Sequence, residues 1–215
     1  MPNELIRPID PDSAHAIEET AKATAKAIDA AVQAGKYVGE VLGDLPHDLV
    51  GIMGDWVKHK RARRWAELSA ETIKILEARG VDNREDVSPS VAIPLIAAAI
   101  NEDRDALKQL WAKLLAAATD PARSKLVRSS LIETVKQMEP LDALVLQEIN
   151  KNTSGNWAPN GRDVIKAVLN VSQDEVLVSF EHLAKLECLL WQGSGPRINP
   201  TTTSLGRLLM RVVQD

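Results

Sequence analysis

Residues 27–65 read AIDAAVQAGKYVGEVLGDLPHDLVGIMGDWVKHKRARRW, and the organisation of the rest of the chain follows from this segment. Small residues recur at every fourth position, which places them on one face of a helix. These residues are Ala27, Ala31, Gly35, Gly39 and Gly43. Leu45-Pro46 ends that helix, because the residue before a proline avoids helical backbone angles. The pattern predicts a long helix, a break, a short helix over about 48–53, and a second long helix capped by Asp55.

A run of cations opens this second helix. The run lies between Trp56 and Trp65 and is defined here as the cationic run: Lys58, Lys60, Arg61, Arg63 and Arg64. Positive charge at a helix N-terminus opposes the helix dipole, so we expect an acidic group to stabilise it. We predict that Trp56, Trp65 and the cationic run bind a partner or an anionic surface.

The small-residue face has two interpretations. Ala31, Gly35, Gly39 and Gly43 form a helix-contact face, either inside a bundle or as a glycine zipper for self-association, also at a membrane. Charges at Lys36, Glu40 and Asp44 interrupt the apolar run, so we expect no spanning helix. An amphipathic segment lying on an anionic membrane remains open, because such lipid attracts cations.

Composition narrows the class of protein. The 215 residues carry a formal net charge of -4, which gives no general attraction for nucleic acid. Cys188 is the single cysteine, so no disulfide can form within the chain. The N-terminus lacks the basic and apolar segments of a signal peptide, and we expect a cytoplasmic protein.

Helical periodicity continues along most of the chain, and we expect a mainly α fold. Residues 1–10 are predicted to be a flexible arm, and residues 11–138 a helical domain. Within that domain the spacing of apolar residues predicts helices at about 11–42, 56–79, 91–100, 102–119 and 124–138. Gly80 is expected to end the second of these, as glycines commonly do after a helix.

Residues 139–215 show a different order of elements. Three helices are followed by a strand, a turn, a strand and a last helix, which is the layout of a winged-helix-like module. Ser172 and Glu175 have the spacing of a capping box at the start of the third helix. That third helix carries Asp174, Glu175 and Glu181 against Lys185, a charge that DNA phosphates repel.

Candidate catalytic residues are scarce. His15, His47, His59 and His182 lie outside any metal-binding spacing, and we expect surface or capping roles for them. Cys188 is expected to be a buried structural thiol. We therefore predict no catalytic residue, no metal, no cofactor and no small-molecule substrate.

Three segments resemble one family. They are GDWVKHKRARRW (54–65), LWAKLLAAATDP (110–121) and TSLGRLL (203–209), with MEPLDA (138–143) between the last two. Together they resemble the abortive infection alpha family of bacterial proteins, over about residues 15–212. The resemblance implies a role in phage exclusion, in which an infected cell stops growing before phage matures, and it supplies no catalytic residues.

Three hypotheses follow from the residues and the resemblance. The first is a non-enzymatic phage-defence protein whose N-terminal helices contact a protein, another copy of the chain, or the anionic face of the inner membrane. The second is a transcriptional regulator that binds DNA through the winged helix, with Arg162, Arg197 and Arg207 as its cations; we do not favour nucleic acid as the partner. The third is a hydrolase without a recognisable motif.

Overall fold

The helix that carries the cationic run is α1, which spans Asp55–Ala78. A computed structural model describes residues 55–151, 161–192 and 199–214; at 55–62, 161–162, 192 and 199 it describes the backbone only. The predicted arm at 1–10, the helix at about 11–42 and the short helix at about 48–53 lie outside the described residues. So does the helix-contact face of Ala31, Gly35, Gly39 and Gly43.

Gly80 ends α1, as its sequence predicts. Its φ of 66° lies in the left-handed region, which a residue without Cβ adopts at little cost. The Val81 amide donates to the Leu76 carbonyl at 3.0 Å, and the Gly80 amide donates to the Glu77 carbonyl at 3.0 Å. These two bonds form a Schellman motif and satisfy carbonyls that the helix end would otherwise leave free.

The next two helices are α2, Pro89–Ala99, and α3, Asp105–Thr119. Almost every side chain of α3 from Leu107 onward is buried, and α3 packs on α1, α2 and later helices. The sequence predicts the start of α3 at about residue 102, whereas the helix begins at Asp105. The Glu102 carboxylate accepts the backbone amides of Asp103 and Arg104, which holds this turn outside the helix.

A single helix predicted at about 124–138 is divided in the structure. Ser124–Leu126 forms one turn of 3-10 helix, and α4 spans Ser129–Gln137. Val127 and Arg128 between them are extended. Val127 is buried in the core, so the break lets an apolar side chain point inward where a continuous helix would turn it elsewhere.

The C-terminal part follows the predicted order of elements. It contains α5, Pro140–Lys151, α6, Gly161–Leu169, and α7, Gln173–Lys185. Strand β1, Leu189–Gln192, then pairs antiparallel with β2, Asn199–Thr202, with Leu189 opposite Thr202. Helix α8 spans Ser204–Val213.

Local contacts explain the geometry of these elements. The predicted capping box is present: the Ser172 hydroxyl accepts the Glu175 amide at 3.2 Å, and the Glu175 carboxylate accepts the Ser172 amide at 2.8 Å. Gly206 on α8 lies against the backbone of Cys188, and a Cβ at this position would overlap the Cys188 carbonyl oxygen. Only glycine allows α8 to approach the start of β1 so closely.

Buried apolar residues from α1 through α8 form one cluster, which crosses the boundary predicted at residue 138. Polar contacts also tie the C-terminus to the earlier helices. Arg79 donates to the Gln214 carbonyl at 2.8 Å, and Arg123 donates to the same oxygen. Cations at the C-terminal end of α8 suit its dipole. The mainly α fold is confirmed, and the division into two modules stays a prediction.

Candidate functional site

The N-terminal end of α1 extends beyond α3. Arg64 contacts the chain immediately before α3, whereas Arg79 after α1 and Arg123 after α3 meet at Gln214. The two helices therefore run in the same direction, with Arg64 level with the start of α3. At the helical rise per residue, positions 55–63 extend roughly 13 Å past that level.

Two members of the predicted binding set contact the protein itself. The Arg64 guanidinium donates to the Ile100 carbonyl at 3.3 Å and lies 3.8 Å from the Asp103 carboxylate, with its side chain only 19% exposed. Trp65 is half-buried against the hydrophobic core. Arg64 and Trp65 thus anchor α1 at the point from which it projects.

Arg63 has a different environment. Its side chain is 83% exposed, and its Nε lies 2.9 Å from the Glu67 carboxylate, one turn along the helix. Such a surface pair contributes at most about 1 kcal/mol, so a partner could replace it at little cost. Trp56, Lys58, Lys60 and Arg61 occupy backbone positions of α1, and their side chains lie outside the described part of the chain.

A partly buried ion pair lies close to Arg64. Arg104 binds the Glu102 carboxylate with two nitrogens, at 2.8 Å and 3.0 Å, and donates to Glu139 at 2.8 Å. Burial raises the pKa of Glu102, but the hydrogen bonds and charge of Arg104 outweigh it, and the pKa lies below its ordinary value. The hydrogen bond to Glu102 raises the pKa of Arg104. Arg104 therefore connects the start of α3 to the start of α5.

A polar cluster holds α5 against α7. Asp142 on α5 is 2% exposed, and its carboxylate accepts the Ser179 hydroxyl at 2.7 Å. The second carboxylate oxygen lies 2.6 Å from His182 Nδ1 and accepts the Glu139 amide at 2.8 Å. Ser179 and His182 lie three residues apart and so share one face of α7.

The geometry of this cluster differs from that of a nucleophile relay. In a Ser-His-Asp relay, the serine hydroxyl donates to the histidine. Here both Ser179 and His182 bind Asp142, and Ser179 directs its proton at the carboxylate. The cluster cross-links two helices, and the Ser179 hydroxyl is bound to Asp142 and not to the histidine.

Cys188 is buried, as predicted. Burial raises the pKa of its thiol to about 12, and the negative charges of Asp142 and Glu187 contribute to that rise. The thiol is protonated at neutral pH, and a protonated thiol is a poor nucleophile. Cys188 therefore acts as a small apolar core residue.

An open cleft of about 440 Å³ lies beside the β1–β2 pair and the start of α8. The guanidinium of Arg207 inside it donates to the Thr202 carbonyl at 2.6 Å and to the Ser204 hydroxyl at 3.3 Å. Its wall is completed by Glu187, Leu190, Thr203 and Leu205. The guanidinium of Arg207 is thus already hydrogen-bonded to residues that line the cleft.

The described ranges hold neither a candidate metal site nor a candidate membrane-spanning helix. Among these residues, no group of three or more His, Cys, Asp or Glu side chains is placed to hold a metal ion. Within the same ranges, no helix has the length and apolar composition needed to cross a bilayer.

Sequence reasoning missed the contacts around Asp142 and Arg104. Asp142 follows Pro140 at the third helical position, a spacing at which a carboxylate can reach back to the residue before the helix. This local spacing predicts the hydrogen bond from the Glu139 amide to the Asp142 carboxylate. The bonds from Asp142 to Ser179 and His182 cross 37 and 40 residues, and no local pattern indicates them.

The sequence pattern of the family described as Abortive infection alpha matches residues 60–205. This range is narrower than the 15–212 over which the quoted segments suggested a resemblance, and it begins inside the cationic run. No curated protein and no solved structure matches the chain. The match covers well over half of the sequence, including the Arg104 pair and the Asp142 cluster. The chain therefore belongs to the abortive infection alpha family.

Proposed function

We propose that the protein acts in phage defence through binding contacts of its N-terminal helices, without catalysing a reaction itself. Family membership supports the biological role, since the family name refers to abortive infection. The projection of α1 supports the mode of action: Arg64 and Trp65 anchor the helix, while positions 58–63 extend beyond α3. This projecting end is the observation on which the proposal rests.

The chemistry of the partner follows from the cations at the projecting end. We define the projecting cations as Lys58, Lys60, Arg61 and Arg63, because Arg64 is bound within the protein. They suit an acidic protein surface or an anionic membrane. Binding to either is expected to weaken as salt rises, because the contact is electrostatic.

We also propose that α5 to α8 with the β1–β2 pair form a winged-helix-like module that contacts protein. The order of helices and strands supports this assignment. A DNA-binding regulator remains the second candidate. The exposed side of α7 carries Asp174 and Glu181, however, and Arg207 is bound to Thr202 and Ser204. Both observations favour a protein partner over DNA phosphates.

A phage challenge tests the biological role. Bacteria with and without the gene would be infected with a panel of phages, and phage yield and culture survival would be followed. We expect a lower phage yield with the gene, and a further loss of host growth after infection. Equal phage yields across the panel would contradict the role in defence.

Charge variants test the mode of action in the same assay. Replacing Lys58, Lys60, Arg61 and Arg63 by Gln removes the projecting cations and leaves Arg64 in place. We expect protection to be lost at unchanged protein level. A matched control is Lys136→Gln, which removes an exposed cation from α4. Protection that survives the first change would show that the projecting cations are not the contact.

Two binding assays identify the kind of partner. Flotation with vesicles that contain anionic lipid measures the membrane contact, with neutral vesicles as the comparison. A gel shift with the DNA that flanks the gene measures the regulator hypothesis, with Arg162→Gln, Arg197→Gln and Arg207→Gln as variants. Salt-sensitive flotation that requires the projecting cations supports a membrane; a shift abolished by the arginine variants supports DNA.

A further inference from the structure

Polar contacts lead from the anchor of α1 to α7. They begin at Arg64 on α1, whose guanidinium lies 3.8 Å from the Asp103 carboxylate before α3. They end on α7, where Ser179 and His182 both bind the carboxylate of Asp142. Helix α1 packs mainly on α3, whereas α7 packs on α5, α6 and β1, so these contacts join helices with different neighbours. We define the residues that take part as the polar series: Arg64, Asp103, Glu102, Arg104, Glu139, Asp142, Ser179 and His182.

The turn before α3 is the first part of the polar series. The Glu102 carboxylate accepts the backbone amides of Asp103 and Arg104 at 3.1 Å and 3.0 Å. It also accepts two nitrogens of the Arg104 guanidinium, at 2.8 Å and 3.0 Å. Since Arg64 pairs with Asp103 within this turn, a displacement of α1 at Arg64 acts on a turn whose backbone and side chains are bound together.

Glu139 joins this turn to α5. Its carboxylate accepts a hydrogen bond from Arg104 at 2.8 Å, and its backbone amide donates to the Asp142 carboxylate at 2.8 Å. Glu139 directly precedes α5, and Asp142 lies in the first turn of that helix. The Glu139 carboxylate is 65% exposed, so water can replace its bond to Arg104 at low cost. The polar series can therefore open at this bond.

Asp142 connects the position of α5 to that of α7. Its carboxylate is buried, and besides the Glu139 amide it binds the Ser179 hydroxyl at 2.7 Å and His182 Nδ1 at 2.6 Å. Because one small group holds contacts from two helices, a shift of the first turn of α5 lengthens at least one of these bonds. We propose that the polar series couples α1 to α7: release of Arg104 from Glu139, or of Arg64 from the turn before α3, loosens α7.

The apolar contacts of α7 limit the expected effect. Val176, Phe180 and Leu183 are fully buried, and these residues are not members of the polar series. Opening the series is therefore expected to raise the population of molecules in which α7 is locally opened, without unfolding the protein. A molecule that binds the start of α1 and displaces Arg64 would use the coupling to change how firmly α7 is held. The coupling concerns contacts within one chain and goes beyond the proposed function.

Cys188 reports the opening of α7. It is the single cysteine of the chain, it is fully buried, and its amide donates to the Leu183 carbonyl of α7 at 2.9 Å. The charge of Asp142 contributes to the raised pKa of its thiol, so the two groups lie near each other. A buried thiol reacts with a soluble thiol reagent chiefly in opened molecules. The rate at which Cys188 of the full chain is labelled therefore measures their population.

Two substitutions open the bond between Arg104 and Glu139. Arg104→Gln removes it together with the bonds to Glu102, and we expect Cys188 to be labelled about fivefold faster or more. Glu139→Gln is the milder variant, because it changes an exposed side chain and keeps the backbone amide that binds Asp142. For this variant we expect labelling about twofold faster or more. Circular dichroism would show that each variant is folded, and unchanged labelling in both would overturn the proposal.

A further variant tests the end of the polar series at α1. Arg64→Gln removes the contact with Asp103, and we expect Cys188 to be labelled about threefold faster or more. In the double variant with Arg104→Gln the series is already open beyond Arg64. Its labelling rate is therefore expected to equal that of Arg104→Gln alone. Effects that multiply in the double variant would show that the two arginines act independently, which would overturn the coupling.

Hydrogen exchange and a matched control separate the coupling from a general loss of stability. In the Arg104→Gln variant we expect faster exchange in α7 and unchanged exchange in the middle of α3. Lys108→Gln removes an exposed ion pair of α3, with Asp105 at 2.9 Å, outside the polar series, and is expected to leave the labelling of Cys188 unchanged. Equal acceleration of exchange in α3 and α7 would overturn the proposal. The assay needs neither phage nor a partner, so its failure would leave the proposed function untouched.

Discussion

Helices α3 and α7 are both central to their part of the chain, but they are held in different ways. From Leu107 to Thr119, α3 is buried on nearly every side by apolar residues. Helix α7 buries Val176, Phe180 and Leu183 on one side and adds the hydrogen bonds of Asp142 at its edge. Its opposite side, with Asp174, Val178 and Glu181, is exposed. This difference indicates that α3 supplies stability, whereas α7 is positioned to present a surface.

The parts of the chain before and after residue 138 also differ in how many large apolar side chains they expose. Ile93 is the exposed large apolar side chain of the part before residue 138, within the residues described there. The part after it exposes several, on α5, α6, α7 and β1. Because exposed apolar area favours association, we expect changes in the first part to affect folding most, and changes at the surface of the second to affect binding.

The largest loss of stability is expected from Leu114→Ala on α3. Leu114 is fully buried, so the change removes apolar contacts and leaves a cavity, which costs about 3–5 kcal/mol. Urea unfolding followed by circular dichroism measures this loss. Leu144→Ala on α5 is the matched control, because Leu144 is 39% exposed, and we expect about 1 kcal/mol or less. Equal losses at the two leucines would contradict the contrast between the two parts.

A loss of about 2–4 kcal/mol is expected from Asp142→Ala. The change leaves the Ser179 hydroxyl, His182 Nδ1 and the Glu139 amide without their acceptor. Thermal unfolding measures the loss, and hydrogen exchange is expected to show it first in α7, because the cluster joins α7 to α5. Asp142→Asn keeps an acceptor oxygen and is expected to cost less. An unchanged α7 in Asp142→Ala would show that its apolar contacts alone hold it.

Gly206→Ala is expected to cost about 1–3 kcal/mol, because the added methyl group overlaps the Cys188 carbonyl and must push α8 from β1. Gly80→Ala is the comparison: it meets no atom, but it places a side chain at a φ of 66°, for about 1 kcal/mol. Chemical unfolding measures both. A loss at Gly206 no larger than that at Gly80 would show that α8 adapts to the methyl group easily.

The elements of the fold were largely predictable from local patterns. Gly80 after α1, the Ser172–Glu175 capping box and the strand pair after Cys188 all follow from residues within a few positions of one another. The break between Ser124 and Ser129 was not predicted, because apolar spacing alone continues through it. It depends on the burial of Val127 in the core, which is a tertiary contact.

The site was less predictable. The cationic run was evident as a sequence pattern, but its division into an anchoring Arg64 and an exposed Arg63 depends on contacts 36 and 39 residues away, with Ile100 and Asp103. The role of Asp142 likewise depends on α7. The sequence pattern of one helix shows which residues share a face. The packing of helices against one another determines which of these faces is buried within the protein.

The smallest effect is expected at the junction of the two parts, from Glu102→Gln. The change removes the negative charge that binds Arg104, for a loss on the order of 1 kcal/mol at neutral pH. The pKa of Glu102 is lowered below its ordinary 4.5 by folding, so its charge stabilises the protein above that value, and the contribution is lost as pH falls through the folded pKa. Urea unfolding from about pH 6 to about pH 3 measures this loss. The difference in the free energy of unfolding between wild type and Glu102→Gln is expected to shrink as the pH falls.

The control is Glu133→Gln, which removes a carboxylate that is 55% exposed beside Lys136. We expect a smaller difference in the free energy of unfolding for this variant at neutral pH. A difference at Glu102 that stays constant across this range would show that its shape, and not its charge, connects α3 to the start of α5.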